Sequence, residues 1–196
     1  MIKKLIQAEI DAIANIPVTD SYESAVKLIY DRIHKDSGTL ICSGMGKAGQ
    51  IANNISTTFC STGTPSAFLH PSESQHGDLG IIRKNDVLLL ISNSGKTREV
   101  VELIELARKL HPTIKIIGIT RNVDSPLAKE ADVLILTGET KEICPLGLTP
   151  TISTTVMTVI GDLLVVSMME RIGFTNEEYS KRHHGGYLGK KSRSNG

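Results

Sequence analysis

Apolar residues recur along this chain in two rhythms, and the rhythm changes near residue 38. Ile2, Ile6, Ile10 and Ile13 return at helical spacing, and Pro17 ends that stretch. Thr19, Asp20 and Ser21 offer N-caps to a second helix, with Tyr22, Ala25, Val26, Ile29 and Ile33 on one face and Gly38 to stop it. Short apolar runs then alternate with helical stretches. Strands are predicted at Thr39–Cys42, Ser66–Leu69, Val87–Ile91, Lys115–Thr120 and Asp132–Leu136. Val87–Ile91 is apolar without a break, as in a strand covered on both faces. Helices are predicted over Ala48–Phe59, Thr97–Leu110 and Thr151–Arg171. The tail from Asn176 is polar, with Gly185, Gly186 and Gly189.

Strands that alternate with helices make a parallel sheet with helices on both faces, joined by right-handed crossovers. The expected fold is therefore α/β, a three-layer αβα sandwich around five parallel strands. A helical arm (about 1–36) leads a core (about 37–175) and a C-terminal tail (about 176–196) in a single domain. The 196 residues agree with one unit, since domains run to about 100–200 residues.

Composition narrows the function. Hydrophobic residues make up 40% and charged residues 22%, which suits a globular protein. A net charge of +1 supplies no field to draw nucleic acid or a membrane surface. Aromatic residues are 4% and Trp is absent, leaving few platforms on which bases could stack. Cys42, Cys60 and Cys144 form no CxxC pair and are expected as buried thiols in a reducing cytoplasm. No signal peptide is evident, and no apolar run is expected to reach the ~20 residues of a membrane span.

Ligands of open parallel sheets bind beyond the carboxyl ends of the strands, which points to the loops after the first, second, third and fifth strands. The first turn, Gly44-Met45-Gly46-Lys47-Ala48-Gly49, has the GxGxxG form, but no acid ends the second strand to hold a ribose. It is not a P-loop either, because Gln50 stands where that motif has its lysine. Lys47 at a helix N-terminus runs against the dipole and suits an anionic or reacting ligand. The third turn, Ser92-Asn93-Ser94-Gly95-Lys96-Thr97, clusters three hydroxyls at a helix N-terminus, which is phosphate-binding chemistry. Between the second and third strands lie His70, Glu73, His76 and Asp78. Glu142 follows the fifth strand, and His183-His184-Gly185-Gly186 marks the tail. A phosphate cradle, a lysine, carboxylates and histidines, with no GxSxG elbow, suit proton transfer on a sugar phosphate.

At five segments the chain resembles the sugar isomerase (SIS) domain family, in particular its arabinose 5-phosphate branch. They are GMGKAG (Gly44–Gly49), STGTPSAFLHPSESQHGDLG (Ser61–Gly80), ISNSGKTREV (Ile91–Val100), KEICPLGLTPTISTT (Lys141–Thr155) and RHHGGYLGKK (Arg182–Lys191). The resemblance implies the SIS fold and reversible isomerisation of D-ribulose 5-phosphate to D-arabinose 5-phosphate through a cis-enediol. It implies no cofactor, and a product used for the eight-carbon acid Kdo of lipopolysaccharide or capsule. By resemblance the catalytic positions are Lys47, Glu99, Glu142 and His183. Lys47 would stabilise charge, Glu142 or His183 would be the base, and Glu99 would hold the lysine or the sugar hydroxyls. Ser43, Gly44, Gly63, Thr64, His70, His76, Ser92, Asn93, Ser94 and Thr97 would line the substrate pocket. His70 matches a zinc-sensitive position, where metal would inhibit.

Three departures from the family pattern stand out. Lys96 replaces a usual glutamate, and His184 replaces a usual proline, which keeps His184 open as the tail base. The sequence stops at Gly196 where many relatives continue into paired CBS domains, so regulation through that pair is not expected. A Kdo-type end product would then act at the domain itself. The family also implies a cytoplasmic homodimer or homotetramer with the tail histidine reaching a neighbour's site. The apolar arm fits that, since it needs a surface to cover, either another subunit or its own domain. Two other functions fit the same cradle: a non-catalytic sugar-phosphate sensor, and an isomerase of another phosphosugar.

Overall fold

A computed structural model describes residues 1–194. Its helices are α1 (Ile2–Ala14), α2 (Ser21–Ile29), α3 (Gly46–Ser61), α4 (Arg98–Leu110), α5 (Pro126–Glu130), α6 (Ile152–Arg171), α7 (Asn176–Arg182) and α8 (Gly186–Ser194). Its strands are β1 (Leu40–Gly44), β2 (Ser66–Phe68), β3 (Val87–Ile91), β4 (Lys115–Thr120) and β5 (Val133–Leu136). The strands form one parallel sheet in the order β2-β1-β3-β4-β5.

Alternation along the strands splits the core in two. Leu40, Cys42, Val87, Leu89, Ile91, Ile117 and Ile119 face one cluster with α2, α3 and α6. Ile41, Leu88, Leu90 and Ile116 face the other with α4 and α5. Because α3 leaves β1 on one face and α4 leaves β3 on the other, a crevice opens at the carboxyl ends of these adjacent strands, where Gly44 pairs with Ile91. Close packing there depends on missing side chains. A Cβ at Gly44 would strike the Ile91 carbonyl, and one at Gly49 would strike the Gly44 carbonyl. Gly46 alone of the three turn glycines needs a left-handed backbone, with φ of 57°.

Several elements depart from the sequence expectation. A π-helical stretch, Tyr30–Lys35, extends α2, and Ser37 rather than Gly38 takes the left-handed conformation that turns the chain. Gly38 is needed for a different reason: a Cβ would collide with the Asn85 carbonyl. The polar tail folds into α7 and α8, with the Thr175 hydroxyl accepting from Glu178 N at 3.2 Å to cap α7. The thiols are not uniformly buried: Cys42 is, Cys144 is intermediate and Cys60 is exposed.

Helix α6 also corrects an expectation. Its 20 residues have a mean hydropathy of 1.8, long and apolar enough to cross a membrane. Here it is a core helix, burying Val156, Ile160, Leu164 and Met168 against α1, α2 and α3. The arm α1 packs on this core through Ala8 and Ala12. Its isoleucines point elsewhere: Ile2, Ile6 and Ile10 are 63, 54 and 51% exposed.

Candidate active site

The crevice holds a cleft of about 270 Å³. Met45, Lys47 and Ala48 line it from the start of α3, Ser92, Asn93, Ser94 and Thr97 from the loop after β3, and Ser153, Thr154 and Met157 from α6. The loop is ordered by its own hydroxyls. Ser92 Oγ lies 2.8 Å from Thr97 Oγ1 and accepts from Gly95 N at 3.1 Å, while Ser94 Oγ accepts from Lys96 N at 3.2 Å. Gly95 holds φ of 64°, and a Cβ on it would strike the Ser125 side chain. Thr97 is the N-cap residue of α4 but makes no side-chain cap, which leaves the helix N-terminus uncapped at the cleft. Lys47 is exposed and reaches Gln50 Oε1 at 3.4 Å.

A second cavity of about 550 Å³ adjoins the first, sharing Asn93, Arg121, Pro150 and Ser153 with it and containing Glu142. Glu142 Oε2 accepts from Thr151 N at 2.7 Å, Thr151 Oγ1 at 2.9 Å and Ser153 N at 3.4 Å. Burial pushes its pKa up, but hydrogen bonds from Ser153 and Thr151 outweigh burial and hold the carboxyl below its ordinary value. Glu142 is therefore a carboxylate at neutral pH.

The remaining expected site residues are dispersed. Ser43 is buried beneath the turn and donates to Leu69 O at 2.6 Å. His70 lines a separate pocket on the β2 side with Phe68, Gly77 and Asp78, and its buried Nδ1 has no hydrogen-bond partner among the described residues. His76 is exposed on the following turn. Among the described residues no group of three His, Cys, Asp or Glu could hold a metal ion. Glu99 stands in the first turn of α4, outside the cleft lining, 3.9 Å from Arg98.

Gly63 and Thr64 do not join this cleft. They precede β2, whose first residue pairs with the first of β1, so they lie at the sheet's amino edge. There a Cβ on Gly63 would strike the Phe174 ring, and Thr64 Oγ1 is 3.1 Å from His34 Nε2. His183 is also outside the cleft of its own chain. It ends α7, with Nδ1 2.9 Å from Tyr179 O and its ring stacked 3.7 Å from that of Tyr179.

Sequence reasoning missed Arg121, which lines the cleft, the adjoining cavity that contains Glu142, and a third cavity of about 280 Å³ shared with Ser94 and Lys96. It directly follows β4, at the carboxyl edge where ligands bind, but in the one inter-strand loop that carries no recognisable motif. It also missed Thr151 and Ser153, whose hydroxyl-rich run reads simply as the start of a helix.

A family model described as the SIS domain matches residues 33–167. The chain belongs to the SIS domain family. Among proteins similar to this SIS chain, arabinose 5-phosphate isomerase KdsD of Pseudomonas aeruginosa is 42% identical over 191 residues, covering 96% of this chain and 57% of that protein. The chain thus spans little more than half the length of that relative. A crystal structure of a candidate phosphosugar isomerase involved in capsule formation, from Bacteroides fragilis, is 68% identical with a TM-score of 0.93, covering 95% of this chain and 97% of that one. An Escherichia coli CFT073 protein, solved in complex with arabinose 5-phosphate, is 34% identical with a TM-score of 0.86, covering 93% and 95%. Both share the flanked five-stranded parallel sheet of the SIS fold.

Proposed function

We propose that this SIS domain interconverts D-ribulose 5-phosphate and D-arabinose 5-phosphate. The observation that carries the reading is the convergence on one crevice of a hydroxyl-lined loop, an exposed lysine and an ionised carboxylate. The similarity to KdsD and to a chain solved with arabinose 5-phosphate supports the choice of pentose phosphate. The phosphate sits on Ser92, Ser94, Thr97 and the α4 N-terminus, and Arg121 adds charge from the rim. In the opened aldose, Glu142 takes the C2 proton. The released pair forms the C1–C2 double bond, and charge develops on the C1 oxygen, where Lys47 stabilises it. The O2 proton then passes to O1, and the proton held by Glu142 is delivered to C1, which gives the ketose and restores the carboxylate. The step is redox-neutral, so it needs a base and a charge stabiliser and no electron carrier.

His183 completes the site from a second copy of the chain, where its ring moves protons between the sugar oxygens. Gly63 and Thr64, at the amino edge, act through the same assembly. A cytoplasmic homodimer or homotetramer is the working form, its product feeds synthesis of Kdo for lipopolysaccharide or capsule, and a Kdo-type end product is the expected inhibitor. His70 is the position where zinc would inhibit.

The test is cofactor-free turnover of D-arabinose 5-phosphate by the purified chain with chelator present. Ribulose 5-phosphate should form, and Glu142→Gln should lower kcat by about 100-fold or more, the scale of a general base, without loss of cooperative melting. Conversion that is unchanged in Glu142→Gln would remove Glu142 from the mechanism. Tight sugar-phosphate binding with no turnover would make the chain a sensor.

A further inference from the structure

Thr151 occupies the N-cap position of α6 but makes no side-chain cap to that helix. Its hydroxyl is used on the preceding loop. It accepts from Ile143 N at 3.2 Å and donates to Glu142 Oε2 at 2.9 Å. Thr151 N donates to the same oxygen at 2.7 Å, and Ser153 N approaches at 3.4 Å. Glu142, nine residues earlier in sequence, thereby satisfies the N–H groups that a capping side chain normally satisfies. One carboxylate oxygen is fixed by three donors. The Ser153 side chain adds to the hold on the carboxyl, and Glu142 lines the cavity beside Asn93 and Arg121.

We infer that Thr151 is a positioning residue: its hydroxyl ties Glu142 to the start of α6 through Oε2 and so fixes the orientation of the carboxylate at the cavity. The inference rests on Glu142 being the base of the isomerisation. A proton-abstracting carboxylate must be ionised and held in one orientation, and a group free to rotate in a loop loses much of its rate advantage. The loop from Pro145 to Pro150 is exposed, so the tie to α6 is what gives Glu142 a rigid support. Thr151 can supply both halves of this tie because a hydroxyl donates and accepts at once. The other charged groups lining the cavities around Glu142 are Arg121, Glu139 and Lys141. Helices α1 and α6 contribute only uncharged residues there, such as Leu5, Ala8, Ile152 and Ser153.

Thr151→Val removes the hydroxyl and keeps the side-chain shape, while Thr151→Ser restores the hydroxyl. Two readouts are compared across pH: steady-state turnover of D-arabinose 5-phosphate, and the carbon-13 titration of the Glu142 carboxyl, assigned with Glu142→Gln. Thr151→Val should lower kcat about tenfold, the scale of one hydrogen bond to a charged group, with KM little changed. It should also move the acid limb of the profile and the Glu142 titration to higher pH. Thr151→Ser should return both toward wild type. An acid limb and a carboxyl titration that stay in place in Thr151→Val overturn the inference. Should that variant fail to fold, Thr151→Ala removes the same hydroxyl and carries the same comparison. If the wild-type chain does not turn over the sugar, the isomerase reading fails on its own, and the carboxyl titration still decides whether Thr151 holds Glu142.

Discussion

Cys144 lies two residues beyond Glu142, in the loop that leads to α6. Its sulfur accepts from Thr149 N and Leu148 N, each at 3.2 Å. These contacts, with Thr149 first, bring its thiol down to about 7. Burial instead pushes the Cys42 thiol up to about 12. The thiolate is the nucleophile, so iodoacetamide should label Cys144 at neutral pH, at a rate that climbs through pH 7 and then levels off. Cys42 should stay unlabelled until the protein unfolds, which mass spectrometry of the labelled peptides would check. Equal labelling of both in the folded chain would contradict the difference in environment. None of this is legible in the sequence, where all three cysteines look alike: the difference comes from which backbone N–H groups the loop turns toward sulfur. The same holds for Glu142. Its place after β5 can be read from the sequence, whereas its partners Thr151 and Ser153 are set by how the loop closes on α6.

Elements were more legible than contacts. β3 and β4 fall where the apolar runs place them, because a continuous apolar run of that length leaves the chain few other ways to bury itself. Helix α4 begins one residue later than expected, at Arg98, and α5 was not anticipated at all, being only five residues long with Pro126 at its start. The arm α1 follows its periodicity, but periodicity does not say which stripe packs inward. Two stripes compete, and the small one wins: Ala8 and Ala12 let α1 lie close to the core, leaving the larger isoleucines outside. A similar close approach joins α3 to α6. Gly161 sits where a Cβ would run into Cγ1 of Ile55, and both residues belong to the buried face between the helices. Gly161→Ala would gain helix propensity worth about 1 kcal/mol. Overpacking against a branched side chain that α3 holds in place costs about 1–3 kcal/mol. The net effect should therefore be a loss of stability, measured as a lower denaturation midpoint with an unchanged m-value. A rise in the midpoint would mean that Ile55 moves aside at little cost.

At the scale of the whole molecule, the sheet separates two sets of residues that the proposed chemistry needs together. Lys47, the Ser92–Thr97 loop and Glu142 gather around the carboxyl edge. The tail starts beyond the far end of α6, a helix whose 20 residues span about 30 Å at 1.5 Å per residue, and Phe174 meets Gly63 at the amino edge. His183 lies further along that tail, at the end of α7, among residues that do not line its own cleft. The outer faces of α1 and α6 leave Ile2, Ile6, Ile10, Leu163 and Val166 uncovered, surface that a second copy would bury. If each working site takes Glu142 from one chain and His183 from another, two inactive variants should complement. A Glu142→Gln chain and a His183→Ala chain would each be inactive alone. Mixed under conditions that allow exchange, a pair of unlike chains contains one site with both defects and one with neither, so turnover should return. Activity should rise as exchange proceeds and follow the fraction of mixed oligomers seen by native mass spectrometry. Mixed oligomers that form without any gain in turnover would place both residues in one chain's site or remove His183 from the chemistry. The outer isoleucines allow an independent check. Ile6→Glu with Ile10→Glu puts like charges where the copies would meet, so it should shift the protein to smaller species by light scattering and lower turnover with it. Charges on that face leave the fold of the single chain alone, because Ala8 and Ala12 rather than the isoleucines hold α1 to its own core.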